Sequence, residues 1–206
     1  MATYGEVKTQ FTSLLNRRDI TPTQITTFLQ NAIGRIQRNL RVPAMEQSVE
    51  IVIPSGYAGL SIPADYLQLI RIVNVRGEEL ERTDFTTASK RAECSGVPKV
   101  YARQGSMWVL GPEPQAGDTV RIDYHAQFNE VSGDSDENLL TIIAPDLIVY
   151  GALIYAGQHF NDRRLPGWQQ SYETAFVELQ DQGDRDELLN AVVSPAYAIP
   201  TDQEDY

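Results

Sequence analysis

Residues with chemical potential are few and scattered along the chain. The stretch LLTIIAPDLIVYGALIYAGQHF, residues 139–160, carries Asp146, Tyr150, Tyr155 and His159 inside the most apolar part of the sequence. A carboxyl held in apolar surroundings keeps its proton toward neutrality, and with a second carboxyl about 5–10 Å away it would form a glycosidase-type pair. Asp146 is the only carboxylate in such company. It also follows Pro145 directly, and an acid in the first turn of a helix is stabilised by the positive helix end with no catalysis involved. His159 falls in the last turn of the same segment, where a partly positive ring complements the negative helix end. That structural role accounts for it as well as an acid–base role does.

The remaining candidates are isolated. His125 sits in DTVRIDYHAQF, facing opposite to Tyr124, and reads as a surface or interface residue. Cys94 in RAECSGVP follows two basic residues and has no histidine near it in sequence, which suits a free structural thiol. Two histidines and one cysteine cannot build a His-rich or Cys-rich metal centre, and no phosphate-binding loop, dinucleotide fingerprint, HExxH or GxSxG motif is present. The expectation is therefore no catalytic residue, no metal and no cofactor. Arg35, Arg38 and Arg41 recur every three residues and form one polar helix face. Such a face could meet phosphate, lie in solvent, or make salt bridges between subunits.

The elements that must position these groups are legible from periodicity. GEVKTQFTSLLNRR places Val7, Phe11, Leu14 and Leu15 on one helix face. A second helix opens at TPTQ, with Thr21 as N-cap, Pro22 at the first position and Gln24 closing a capping box. Ile25, Phe28, Leu29, Ala32, Ile33, Ile36 and Leu40 follow at helical spacing, and Pro43 ends the run. From residue 48 to residue 128 the period changes to two. Val49, Ile51 and Ile53 alternate, Leu67 to Val75 reads as a strand ending in an Arg76-Gly77 turn, and Val100–Arg103 with Met107–Leu110 flank Gly105 as a hairpin. Val120, Ile122, Tyr124 and Ala126 alternate again. Residues 83–93 read as a short helix or an irregular excursion. These segments predict an antiparallel sheet or a small sandwich.

After a polar linker, NEVSGDSDEN, a helix restarts at Pro145 and runs through His159. NDRRLPG turns the chain, and Trp168, Tyr172, Phe176, Leu179 and Leu188 mark a second amphipathic helix to about residue 189. So short a connection makes the two helices antiparallel neighbours. The predicted fold class is α+β and mainly helical: an antiparallel bundle of N- and C-terminal helices, a central antiparallel β-rich insert, and an extended C-terminal arm. The expected segments are residues 1–43 for the N-terminal helices, 44–130 for the insert, 131–189 for the C-terminal helix pair and 190–206 for the arm.

Composition narrows the function classes. The 206 residues are 42% hydrophobic, enough for a real core, and carry a formal charge of −11. An acidic surface repels phosphate, so extensive nucleic-acid wrapping and binding to anionic membranes are disfavoured. The charge is uneven: residues 1–43 sum to +4 and residues 178–206 to −7. Opposite-sign ends suit head-to-tail contact between copies, although both could also be solvated helix faces. One cysteine forms no intramolecular disulfide, as in a chain folded in a reducing cytoplasm. MATYGEVKTQ has no basic stretch followed by an apolar run, so no signal peptide is expected. Pro145 and Asp146 divide the apolar stretch at 139–160, leaving too few consecutive apolar residues for the roughly 20 that a membrane span needs.

In order, LLNRRDIT, ITTFLQNAIGRIQRNLRVP, IPADYLQLIRIVNVRGEEL, WVLGPEPQAGDTVRIDYHAQF, NLLTIIAPDLIVYGALIYAGQHFND and WQQSYETAFVEL resemble the head-to-tail adaptor, or head-completion, proteins of tailed bacteriophages, with a preference for the short-tailed type. The resemblance covers about residues 10–190. It implies a structural virion protein of the neck, assembled in the host cytoplasm as a ring of typically twelve copies beneath the portal protein. Its partners would be the portal, other copies of itself, and the downstream tail or nozzle proteins. Packaged DNA would pass through the channel without specific binding, and no membrane is involved. An extended arm suits docking on the portal or a neighbouring subunit, with Tyr197, Ile199, Pro200 and Tyr206 as candidate anchors. Some related adaptors are credited with peptidoglycan hydrolysis, which makes a lytic enzyme the alternative. A stopper or tail terminator is a third reading.

Overall fold

A computed structural model describes residues 2–57 and 59–190, with side chains omitted for Asp184 and residues 186–190. Helix α1 spans Tyr4–Leu15, and Thr3 and Glu6 form a capping box at its start. It buries Tyr4, Val7, Phe11 and Leu15, one residue per turn. Leu14, expected on this face, is exposed. Adjacent residues on a helix lie about 100° apart, so on the narrow buried stripe of α1 Leu15 points inward and Leu14 does not. Helix α2, Pro22–Asn39, has the expected Thr21–Gln24 capping box and buries Phe28, Leu29, Ala32, Ile33 and Ile36.

A separate short helix precedes the long apolar one. The intervening α3, Phe85–Ala92, belongs to the β region. Helix α4, Leu139–Ile143, is capped by Asn138, and α5, Pro145–Phe160, follows at once. Five residues are too short a run to show a helical period, so α4 is not legible in the sequence. Ala144 between them leaves helical geometry, at φ −145° and ψ 59°, because a residue before proline is pushed out of the α region. Helix α5 buries residues all round its circumference, from Leu147 to Gly157, as a helix enclosed by others must. Helix α6, Leu165–Asn190, packs on it through Tyr172, Trp168 and Phe176. Close approach is possible because two positions lack a Cβ. One at Gly151 would stand 3.0 Å from Ala32 Cβ, and one at Gly157 3.1 Å from the Trp168 ring. Helices α1, α2, α4, α5 and α6 thus share one hydrophobic core.

The polar segment 129–138 is an ordered loop rather than a free linker. Asp136 accepts from the backbone N–H groups of Ser132 and Gly133, and its carbonyl accepts from Tyr4 N–H at 2.9 Å. Lys8 closes the contact with a 2.7 Å ion pair to Asp134. These contacts supply the first orphan N–H groups of α1 with acceptors.

A second core lies between two sheets. Strands β1 (Glu46–Val52), β7 (Thr119–Ala126) and β3 (Tyr66–Val73) form one, in the order β1-β7-β3 and antiparallel throughout. The other has the order β2-β6-β5-β4, from Leu60–Ser61, Met107–Gly111, Val100–Gln104 and Glu81–Arg82. Val120, Ile122, Tyr124 and Ala126 of β7 all point into this core, as their alternation predicts. One feature departs from the antiparallel expectation: β4 pairs with β5 in parallel. A parallel pair needs a long crossover, and α3 provides it, packing on β5 and β6. This resolves residues 83–93 as a crossover helix.

Candidate assembly surfaces

The sequence candidates for catalysis are dispersed. Asp146 occupies the first turn of α5 and is exposed, lining a shallow groove with Tyr150, Gln170 and Glu178. The apolar residues that surround it in sequence, from Leu147 on, face the helical core instead. His159 lies in the last turn of α5 and is exposed, with its Nε2 3.3 Å from Gln24 Nε2 and its ring edge-on to Phe160. His125 lies on the outward face of β7, opposite Glu46 of β1 and Gln68 of β3. Cys94 is a free, exposed thiol. Among the described residues no three His, Cys, Asp or Glu side chains gather as a metal site, and no helix is long and apolar enough to cross a membrane. Tyr197, Ile199, Pro200 and Tyr206 lie outside the described residues.

The arginine row divides. Arg35 lies half-buried over the Tyr172 ring, 4.9 Å from its centroid, and joins α2 to α6. Arg41 donates to Gln68 Oε1 at 2.9 Å and to the Gln37 carbonyl at 3.0 Å, joining the end of α2 to β3. Arg38 alone stays exposed. Two of the three are therefore joints within one chain rather than a phosphate cluster. The backbone of Arg41 is held as well, its carbonyl accepting from Gln180 Nε2 of α6 at 2.7 Å.

The outer face of the three-stranded sheet carries a polar cluster that the sequence did not single out. Asp123 of β7 accepts from Ser48 Oγ of β1 and Arg71 Nε of β3, each at 2.6 Å, with Arg121 Nε 3.4 Å away. Burial works against its ionisation, but the Ser48 hydroxyl and the two guanidinium groups outweigh it and hold the carboxyl below its usual range. All three strands are tied across this face. The only sequence signal was the polar phase of the β7 alternation, whose partners depend on strand order. On the inner side, desolvation and the hydrogen bond to Asp65 push the Tyr124 hydroxyl up to about 12, so it stays a neutral donor.

The family model described as SU10 adaptor protein matches residues 2–196, and the chain belongs to that family. It is a structural head-to-tail adaptor of tailed bacteriophages, a component of the virion neck. No curated protein matches the chain.

Proposed function

We propose that twelve copies of this chain form a ring that connects the portal of the phage head to the tail and continues the DNA channel. Membership of the adaptor family over residues 2–196 carries this reading. Charge supports it in two ways. A chain of net charge −11 gives DNA little to adhere to as it slides past. The +4 of residues 1–43 and the −7 of residues 178–206 favour head-to-tail contact, and a heterologous contact makes a ring when its rotation closes.

In this proposal the helices of segments 1–43 and 131–189 act as one antiparallel bundle that forms the ring body, with residues 44–130 as an insert facing a neck partner. Residues 190–206 are an arm that anchors on the portal through Tyr197, Ile199, Pro200 and Tyr206. Subunits assemble in the host cytoplasm, and downstream tail or nozzle proteins dock on the completed ring. Co-sedimentation with purified portal rings tests the proposal. The chain should move with the portal in a fixed ratio. Its staying behind at every concentration would refute the assignment.

A further inference from the structure

The two sheets present four edge strands, and three of them are blunted. Strands β2 and β4 are two residues long. Strand β3 carries two irregularities of register, and the Leu69 N–H donates to Tyr66 Oη at 2.9 Å. The chain then folds back over its end, with Leu80 N–H donating to the Ile72 carbonyl at 2.8 Å. Short length, bulges and cover are the usual means by which proteins close sheet edges.

Among the described residues strand β1 has none of these. It runs seven residues in unbroken register with β7, from Glu46 opposite His125 to Val52 opposite Thr119. The flanking prolines, Pro43 and Pro54, stand outside the strand. Ile53 N–H donates to the Asp118 carbonyl at 2.8 Å, which sets the phase of the ladder. Alternate pairing then turns the N–H groups of Ser48, Glu50 and Val52 away from β7. Their side chains lie on the outer face and are exposed, Val52 to 63%.

Glu46 stands opposite His125 and Glu50 opposite Arg121 on β7, and their outer sides are left to bias the choice of occupant at the edge. Antiparallel pairing of two β1 strands centred on Ser48 would set Glu46 against Glu50, and parallel pairing would set each glutamate beside its copy. Like charges directly opposite one another destabilise a sheet. The acidic stretches 178–187 and 202–205 of a second copy are disfavoured on the same ground, and residues 190–201 carry no charge to pair with the glutamates. A strand of another protein with basic residues four apart on one face would instead meet both glutamates, and its intervening β-branched residues would extend the face formed by Val49 and Ile51. We propose that the free edge of β1 takes such a basic, extended segment of another protein as a fourth strand of the sheet. This does not depend on ring formation or on the portal.

Hydrogen exchange on the full chain tests it, with a capped eight-residue peptide as probe. The peptide alternates valine with threonine and lysine, its two lysines four residues apart. At about ten times its Kd, it should slow exchange of the Ser48, Glu50 and Val52 amides about tenfold. N-methylation of its pairing amides should remove the effect, and so should Glu46→Lys with Glu50→Lys in the protein. No slowing at these amides would overturn the proposal, as would equal slowing by a peptide with glutamate in place of lysine. Slowing that appears without peptide as protein concentration rises would assign the edge to a second copy and likewise overturn it.

Discussion

Arg164 Nη2 donates to the carbonyl oxygen of Leu15 at 2.8 Å, and its Nη1 to that of Leu14 at 3.2 Å. A residue in the turn before α6 thus closes the C-terminus of α1, where carbonyls lack helical partners and the helix end is negative. Asp162 holds the guanidinium in place, accepting from Nη2 at 2.8 Å and from Nε at 3.1 Å. Arg164→Ala should cost about 1–2 kcal/mol, since hydrogen bonds to a charged group are lost at a partly exposed site. Arg164→Lys should recover only part of this, because lysine keeps the charge without the planar fork. Urea unfolding midpoints check both.

Acid sensitivity follows from the same pair. The Arg164 side chain and then its backbone N–H hold the Asp162 carboxyl down to about 2. A carboxyl lowered in the folded state stabilises the fold above its unfolded value of about 3.9, and that stability fades as pH falls through the folded value. Wild-type stability should therefore decline between about pH 4 and about pH 2. Asp162→Asn should flatten this part of the curve and lower the plateau above it. Thermal melts across that range give the comparison.

Gly151 sets how closely α5 can approach α2 and α6. Gly151→Ala sets a gain in helix propensity of about 1 kcal/mol against crowding by Ala32 and Tyr172, so its net effect should be small. Gly151→Leu has no room on that face and should cost about 3 kcal/mol or more. Calorimetry of the two variants would show whether the helical core is as tight as the 3.0 Å approach implies.

Much of this architecture was legible in the sequence. The Thr21–Gln24 capping box, the alternation of β7 and the start of α5 at Pro145 are local patterns, and each appears as read. What was not legible depends on partners distant in sequence. Leu14 and Leu15 fit one helical period equally well, and only the position of α5 decides between them. The parallel β4–β5 pair follows from strand order, which periodicity does not encode. Arg35 and Arg41 looked like one polar face because the ring of Tyr172 and the amide of Gln68 are far away in the chain. Asp146 drew attention through apolar neighbours that turned to the core while it faced solvent.

The arm residues have a separable prediction. Tyr197 and Tyr206 are to be replaced together by alanine. Portal affinity should fall at least about tenfold if the two rings are buried anchors. Titration of labelled chain with portal rings measures it, with the melting curve as control for folding.

Electron microscopy of this chain mixed with purified portal rings tests the central claim most directly. The account predicts a twelve-fold ring of adaptor density on one face of the portal, coaxial with the DNA channel. Portal rings that remain bare, or adaptor density lying off the channel axis, would contradict it.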